Sequence, residues 1–429
     1  MAIQLKPTGI INSFKMLKGN TRISVIFEPL WGIPFTLYSF YLSLYMKNQG
    51  ITDEQIGFLI SIGYISGIIF SLFGGMITNT LGRKKTTLIF DILSWPLSLF
   101  IYLISHNFWM FALAQIVNSL VKVCAVSWNL MVVEDADAEQ QVAAYNLINA
   151  CNISVGVFTP LAGIMIKTLG IVTGERILLG FALISMTVMI LGRNHYYKET
   201  RVGQQILDER KERKQKIQFK LDFSLLRTLK EKPVVTLVLV LSILFNIYIP
   251  IGTYLSLYYA PFLTEALKLD KSAIAILGGI NATVMFLVFI FLTPLFSRWN
   301  RFYMMITGVL LQLLSLIMFI TIPPQNFWMA IICVVLFALG FGMAKPFIDS
   351  ILAEVTEGKE RAGIYALYNT AVSVLCSGLG FASGYLYELN PALIYLVSIG
   401  ILIFCMGSLF WLNAKKGSRQ CVESAPLGE

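Results

Sequence analysis

The chain of 429 residues is too apolar for a soluble protein, because 56% of it is hydrophobic and only 13% is charged, whereas soluble domains carry about 25% charged residues. Its net charge of +9 would suit nucleic acid, but the basic residues lie in segments between apolar stretches, so nucleic acid is not an expected partner. The composition instead predicts a protein embedded in a membrane.

A spanning helix needs roughly 20 mostly apolar residues to cross a hydrocarbon core about 30 Å thick. Twelve stretches meet this requirement, which predicts an all-α membrane protein with twelve transmembrane helices. They lie near residues 23–46, 55–78, 86–105, 107–132, 140–167, 173–192, 233–260, 273–297, 302–321, 327–353, 362–387 and 391–413. Residues 1–22 have no long apolar run, so no cleavable signal peptide is expected. The cysteines show no metal-ligand spacing, and neither a metal nor a cofactor is expected.

The distribution of basic residues predicts the orientation of the chain. With the N-terminus inside, the inward segments and helix ends hold 26 Lys and Arg, and the outward ones hold five. This asymmetry predicts that both termini are on the cytoplasmic side of the cell membrane. The segment 193–232 has 12 basic and 6 acidic residues, so it is expected to be a solvated cytoplasmic linker along the anionic inner leaflet.

The two halves on either side of this linker repeat each other. YLSLY occurs at 41–45 and again at 254–258, and NFWM occurs at 107–110 and again at 326–329. Single residues match in the same order along both halves: Arg83 with Arg301, Glu134 with Glu354, Tyr145 with Tyr365 and Asn149 with Asn369. Two parallel repeats related by an axis along the membrane normal suit a carrier that works by alternating access.

The predicted organisation therefore has five parts. They are a cytoplasmic N-terminal segment (1–22), an N-terminal six-helix bundle (23–192), a cytoplasmic basic linker (193–232), a C-terminal six-helix bundle (233–414) and a cytoplasmic tail (415–429). The substrate site is expected between the two bundles, near the middle of the membrane.

The loop between the second and third spans resembles a known pattern. GGMITNTLGRKK at 74–85 is similar to the G-x-x-x-D-R-x-G-R-K loop of the major facilitator superfamily. The matching residues are Gly75, Gly82, Arg83 and Lys84, while Asn79 stands where the family usually has Asp. The resemblance extends from about residue 20 to 414. It implies a bacterial-type twelve-helix fold of two pseudo-symmetric bundles, and it implies that this loop belongs to the cytoplasmic gate.

A second segment, from Glu354 to Arg361, resembles the E-x6-R pattern of sugar-porter-type members. The first half keeps Glu134 but has Gln141 in place of the arginine. Two interpretations are open for these charges. Salt bridges among Arg83, Arg301, Glu134 and Glu354 would latch the cytoplasmic side, or they are surface charges whose pairs contribute only about 0–1 kcal/mol.

Four charged residues within spans are the strongest candidates for function, namely Glu28, Lys122, Lys345 and Asp349. Each costs about 2.5–3.5 kcal/mol at the bilayer centre. At 1.5 Å per residue, Lys122 and Lys345 lie about 18 and 14 Å from the inner surface, and they are predicted to bind substrate. Glu28 and Asp349 lie nearer the cytoplasm and are predicted to carry a proton or to form ion pairs. Lys345 and Asp349 can pair directly, since they are four residues apart.

Uncharged polar residues suggest wet helix faces. Gln115, Asn118, Lys122 and Asn129 fall on one side of span 4, and Asn149 and Asn369 occupy matching places in spans 5 and 11. They are predicted to contact substrate, although interhelical hydrogen bonds would explain them equally well. Trp31 lies between two prolines and is a candidate for stacking on a substrate ring.

The combined features predict a secondary transporter of a small solute, driven by a proton gradient or by the gradient of the solute itself. A sugar or an organic anion is the first expectation for the solute, and antiport efflux of a drug or metabolite is the alternative. A receptor that does not transport is the third possibility. No enzyme is expected, because the two histidines lie in loops and no nucleophile or nucleotide-binding motif is present. The expected partners are the solute, membrane lipid and protons, and the expected functional unit is a monomer.

Overall fold

The computed structural model describes residues 10–213, 233–254, 256–288, 301–355 and 361–423. Within these ranges the chain forms helices and turns and no β-strand. It divides into two compact units, Met1–Phe219 and Lys220–Glu429, which are called unit 1 and unit 2 below.

Unit 1 contains twelve described helices, several of which are consecutive pieces of one span. They are α1 (Ile10–Met16), α2 (Gly19–Ser39), α3 (Leu42–Asn48), α4 (Asp53–Leu81), α5 (Arg83–Ile92), α6 (Ser98–Ile104), α7 (Phe108–Asn118), α8 (Val121–Val133), α9 (Ala138–Ser154), α10 (Thr159–Leu169), α11 (Ile171–Tyr196) and α12 (Arg201–Arg213). A π-helical turn, Leu93–Leu97, joins α5 to α6, and it contains Pro96. Helix α11 packs along α2 and also contacts α6.

Unit 2 contains seven described α-helices of three residues or more. The six longer ones are α13 (Pro233–Gly252), α14 (Lys271–Leu287), α15 (Arg301–Thr321), α16 (Phe327–Val355), α17 (Arg361–Leu389) and α18 (Ala392–Glu423), and a single helical turn, Tyr259–Pro261, lies between α13 and α14. The turn continues into a π-helical turn, Phe262–Ala266. Helices α15 and α16 pack closely, and α18 lies against α13 and α15.

Ten helices in the described residues are long and apolar enough to cross a membrane. The bent pair α2 and α3, with an angle of 44° between its pieces, would be an eleventh span. Helix α14 is apolar but shorter, at 17 residues, and it ends next to residues outside the described part of the chain. The protein is therefore a multi-pass membrane protein, as the composition predicts.

Both sequence repeats fall on equivalent structural features. Asn107 accepts a hydrogen bond from the backbone N–H of Met110 at 3.1 Å, and Asn326 accepts one from Met329 at 3.1 Å. The repeated NFWM is thus an N-terminal helix cap in each unit. The repeated YLSLY lies where the first long helix of each unit stops: α2 ends at Ser39, and α13 ends at Gly252.

Large apolar side chains cover the outer surface of each unit, as expected for contact with lipid. Trp109 and Trp328, which the repeat pairs with each other, are 78% and 77% exposed. Both follow the capping asparagine by two positions, so each stands at a helix end. Tryptophan is enriched at the membrane–water interface, and these two residues fit that place.

Candidate functional site

A tight turn at Gly82 separates α4 from α5 in unit 1. Gly82 has φ +86°, a left-handed conformation that glycine adopts without steric cost. The first backbone N–H groups of α5 have no partner within their own helix. The Glu199 carboxylate accepts hydrogen bonds from the backbone N–H groups of Arg83 at 2.9 Å and Lys84 at 3.0 Å. A negative side chain therefore caps the positive end of this helix.

The Arg83 side chain forms the centre of this cluster. It is 3% exposed and donates to the Glu134 carboxylate through Nε at 3.1 Å and Nη2 at 2.9 Å. Its Nη1 donates to Asn79 Oδ1 at 3.1 Å. The two-atom pairing of a guanidinium with a carboxylate is a strong, directional interaction. Thr200 Oγ1 also donates to Glu134, so the carboxylate is held from two sides.

The loop motif thus brings together Asn79, Gly82, Arg83 and Lys84 with Glu134, all within unit 1. Gly75 belongs to the same motif, but it lies in the interior of α4 with open space beside its Cα. Asn79 accepts a hydrogen bond from Arg83 where the family usually has a carboxylate. The side chains of Arg301, Glu354 and Arg361 lie outside the described part of the chain, so the matching cluster in unit 2 stays a prediction.

Sequence analysis missed Glu199 and Thr200. These residues begin a segment expected to be solvated, yet Tyr197 and Thr200 are buried. Tyr197 Oη lies 2.5 Å from Ser24 Oγ, and Asn20 exchanges two hydrogen bonds with the backbone of Lys198. The start of the linker is therefore docked onto unit 1. The prediction that this segment is solvated used only its high density of charged residues, and that density does not show which side chains bond to unit 1.

A second cluster of charges is buried inside unit 1. Arg193 donates to the Asp91 carboxylate, and Cys124 Sγ lies 2.9 Å from Asp91 Oδ1. Glu28 is 7% exposed, receives a hydrogen bond from the Asn152 side chain and lies in the electrostatic field of Arg193 and Asp91. The cluster therefore holds two carboxyl groups and one guanidinium. Of these residues, the sequence analysis singled out only Glu28.

Aromatic rings gather one turn above Glu28 on α2. Trp31 stacks on Phe35 with a centroid distance of 5.0 Å and meets Trp95 edge-on at 5.5 Å. Phe35 meets Tyr38 edge-on at 5.7 Å. Edge-on and offset geometries are the favourable ones for aromatic pairs. Trp31, predicted to stack on substrate, thus stands at the end of an aromatic group and is half-buried.

Three of the polar residues of span 4 form hydrogen bonds with other parts of unit 1. The helix breaks at Ser119–Leu120, between α7 and α8. Asn118 donates to Ser94 O at 2.9 Å, and Gln115 accepts a hydrogen bond from Tyr102 Oη. Asn129 donates to the carbonyl of Ala125 in its own helix. Asn129 also accepts a hydrogen bond from Tyr145 Oη of α9 at 3.3 Å, so all three residues have an interhelical hydrogen bond, which was the alternative interpretation.

Lys122 differs from the half-buried amides of α7 because its side chain is exposed. Its stem passes Gly67, where an added Cβ would lie 3.5 Å from Lys122 Cγ and Cε. No carboxylate of the described residues forms an ion pair with its Nζ. Lys345, its predicted counterpart in unit 2, donates to Asp349 Oδ2 at 2.6 Å, which confirms the pairing that their spacing predicts. Asn149 and Asn369 are exposed.

A third buried acid was not predicted at all. Glu175 lies in the first turns of α11, is fully buried, and neither of its carboxyl oxygens has a hydrogen-bond partner among the described residues. Tyr38 lies close enough to Glu175 to interact with it electrostatically.

Fold and site together define a membrane protein of two repeated helical units, with buried ionic clusters inside a bundle. Comparison with known proteins gives the family. The family model described as Major Facilitator Superfamily matches residues 31–377 and 250–424. The chain therefore belongs to the major facilitator superfamily, as the loop motif indicated.

Individual relatives are distant but cover most of the chain. The quinolone resistance protein NorA of Staphylococcus aureus (strain COL) is 21% identical over 369 residues, which are 84% of this chain and 88% of that protein. The MFS-type transporter YqjV of Bacillus subtilis (strain 168), itself uncharacterized, is 29% identical over 127 residues, which are 29% of this chain and 30% of that protein.

Solved structures show the same fold. A D-xylose-proton symporter superposes with a TM-score of 0.69 at 15% identity and covers 92% of this chain and 97% of its own. The nucleoside transporter NupG gives a TM-score of 0.66 at 14% identity, with 94% and 99% covered. At such identities the likeness concerns the fold alone.

Proposed function

We propose that the chain is a secondary transporter that carries an aromatic organic anion across the cell membrane by alternating access. The observation that carries the proposal is that Lys122 on α8 forms no ion pair with any carboxylate of the described residues. Within unit 1 the buried cations Arg83 and Arg193 are matched by carboxylates, whereas Lys122 is exposed. An unpaired cation in a spanning segment is expensive and is kept for a functional reason. An anionic solute is the partner that its charge favours.

The aromatic part of the solute follows from Trp31. Its ring is half-buried and packs against Phe35 and Trp95, and we propose that its accessible part stacks on a ring of the solute. Asn118 and Gln115 are polar residues that would recognise a sugar. However, the Asn118 amide donates to Ser94 O, and the Gln115 amide oxygen accepts from Tyr102 Oη. These contacts favour an aromatic anion over a polyhydroxylated solute.

A screen of purified protein tests the class of solute. Salicylate, xylose and ethidium represent an aromatic anion, a sugar and a lipophilic cation, and a bound ligand raises the unfolding temperature by mass action. Salicylate is expected to raise it, and Lys122→Gln is expected to remove the shift. Lys167→Gln is the matched control, because Lys167 is an exposed lysine of the same unit. A shift with xylose alone would contradict the proposal.

Efflux of an amphipathic drug is the second candidate function. It is favoured by the match to the quinolone resistance protein over most of both chains. In inside-out vesicles, export in the cell appears as accumulation of the solute when the lumen is acidic, and uptake appears as its release. Accumulation of ethidium that does not depend on Lys122 would favour this candidate over the first.

Glu28 is proposed as the group that couples transport to protons. Glu28 and Asp91 both lie near the Arg193 guanidinium. When Glu28 gains or loses a proton, the net charge of this buried cluster therefore changes. Asp349 is less suited, because it is 49% exposed and paired with Lys345. In proteoliposomes with a pH-sensitive dye inside, Glu28→Gln is expected to abolish proton movement driven by the solute, whereas Asp349→Asn keeps it. Unchanged coupling in both variants would refute the assignment.

A further inference from the structure

Glu175 is a buried acid for which neither the packing of unit 1 nor the proposed function gives a use. It is 0% exposed, and neither of its carboxyl oxygens has a hydrogen-bond partner among the described residues. An ionised carboxylate without a partner is very costly in such a place, so the group is held as the neutral acid. Even the neutral acid leaves polar atoms unsatisfied. An acid that is kept within a span at this cost is a candidate for function.

Glu175 lies at the other end of α11 from the buried charges of unit 1. It comes four residues after Ile171, the first residue of α11, which is about 6 Å along the helix axis. Arg193, whose charge acts on Glu28, follows 18 residues later, about 27 Å further along the same helix. The basic residues of the sequence predict that the Glu175 end faces outward. Glu175 is therefore separate from the Glu28 cluster.

Two tyrosines lead from Glu175 to the polar residues of span 4. Tyr38 on α2 lies close enough to both Glu175 and Tyr102 to interact with them electrostatically. Tyr102 on α6 donates from its hydroxyl to Gln115 Oε1 on α7. Tyr38 and Tyr102 are 4% and 3% exposed, whereas Gln115 is half-buried. Polar groups thus follow one another from the buried acid to a side chain that water reaches.

No ion pair of the described residues includes Glu175. Arg176, the next residue on α11, donates to Tyr45 Oη on α3 at 3.4 Å, and its Nη2 lies 3.4 Å from His106 Nδ1. Lys167 on α10, the helix before α11, is exposed. The cations near this end of α11 therefore contact other groups or solvent, and a proton neutralises the carboxylate.

We infer that Glu175 is a proton-binding site whose proton exchanges with water at Gln115 through the hydroxyl groups of Tyr38 and Tyr102. Neither tyrosine is bonded to Glu175 in the structure, so the transfer follows a change of side-chain rotamer. Glu175 then gives its proton to Tyr38, Tyr38 gives its own to Tyr102, and Tyr102 gives its own to water. This step leaves a carboxylate and a hydronium ion, and the reverse step restores the acid. The site does not depend on the proposed transport, whereas its use as a proton source for coupling does.

Infrared spectroscopy of the full chain in maltoside micelles, which contain no carbonyl group, detects this proton. At neutral pH, wild type is expected to show the C=O band of a protonated carboxyl that Glu175→Gln lacks. Glu54→Gln is the matched control, because Glu54 is an exposed acid of the same unit, and it is expected to keep the band. No difference between Glu175→Gln and wild type would overturn the inference. So would a band that is present in choline chloride and absent in sodium chloride, because Na⁺ would then neutralise the carboxylate.

The rate at which this band shifts after transfer to D₂O tests the path of exchange. Tyr38→Phe and Tyr102→Phe are each expected to slow the shift about tenfold, because each removes one hydroxyl from the path. Tyr196→Phe, at a 60% exposed position of α11, is expected to leave the rate unchanged. If one of the two buried variants fails to fold, the other decides alone. A rate equal to that of wild type in the folded variants rejects the inference.

Discussion

Arg83 shows how one side chain joins three separate parts of the sequence. Its guanidinium bonds to Glu134 and Asn79, and its backbone N–H bonds to Glu199. All of these partners lie in unit 1. The pairing therefore holds this unit together by itself, and a latch between the units would have to use other groups or rearrange this cluster.

Breaking the Arg83–Glu134 pair is expected to destabilise the protein more than removing both partners. Removing one partner of a buried pair leaves an uncompensated charge and costs about 3 kcal/mol or more. Arg83→Met is therefore expected to lower the unfolding temperature strongly, and Arg83→Met combined with Glu134→Met is expected to recover part of the loss. Differential scanning fluorimetry in detergent measures this double-mutant cycle. Additive losses would show that the two side chains do not interact.

Glu175 is a residue whose removal is expected to stabilise the chain. It is fully buried and its carboxyl oxygens have no partner among the described residues. A buried polar group without a hydrogen bond costs on the order of 1–3 kcal/mol. Glu175→Met is expected to raise the unfolding temperature, with Glu175→Gln in between, because the amide is neutral but still polar. A lower unfolding temperature for Glu175→Met would indicate an unseen partner or ion at this position.

At the level of helices and turns, the loop motif separates two glycines with different roles. At Gly82, φ is +86°, and an added Cβ would lie 2.7 Å from Glu199 Oε2. Gly75 has no atom within 4 Å of an added Cβ. The motif glycine at the turn is therefore required by geometry, whereas the glycine inside α4 is not required by packing within unit 1.

The pair of substitutions Gly82→Ala and Gly75→Ala tests this distinction. Gly82→Ala is expected to cost about 1–2 kcal/mol from left-handed backbone strain, and it displaces the Glu199 cap of α5. Gly75→Ala is expected to leave stability unchanged or raise it by about 0.5–1 kcal/mol, since alanine favours a helix interior. Thermal unfolding of both variants measures the difference. Equal effects would mean that the docked start of the linker does not depend on the turn.

Sequence patterns predicted features that depend only on residues close together in the chain, such as spans and helix caps. Long apolar runs predicted the spans, and the doubled NFWM marked a capped helix start in both units. The pairings of Arg83 with Glu199 and of Asp91 with Arg193 join residues 116 and 102 positions apart. Such pairings depend on how helices pack, and no periodicity encodes them. For the same reason, Asn118 was predicted to face substrate although its amide bonds to Ser94.

At the scale of the whole molecule, each unit repeats the same plan with different interior chemistry. Unit 1 buries the Glu28, Asp91 and Arg193 cluster, whereas unit 2 buries a group of aromatic rings that includes Tyr259, Phe319 and Tyr395. A duplicated chain keeps its helix starts and breaks, because both copies must cross the same bilayer. Its interior is free to diverge, because each copy packs its own core.

The surplus of basic residues in alternate loops leads to a prediction about the whole chain. Both termini are expected to face the cytoplasm, so native Cys421 in the tail should react with a membrane-impermeant maleimide only after cells are permeabilised. The cysteines within the spans are buried or half-buried, and Cys421→Ser provides the background.

The opposite side of the membrane supplies the matched measurement. Glu388 is exposed near the end of α17, between the last two spans, where the loop is expected to face outward. In the Cys421→Ser background, Glu388→Cys should therefore react with the same maleimide in intact cells. Labelling of Cys421 in intact cells, or protection of the cysteine at position 388, would contradict the predicted orientation of the last span, because the basic tail would then not lie on the cytoplasmic side.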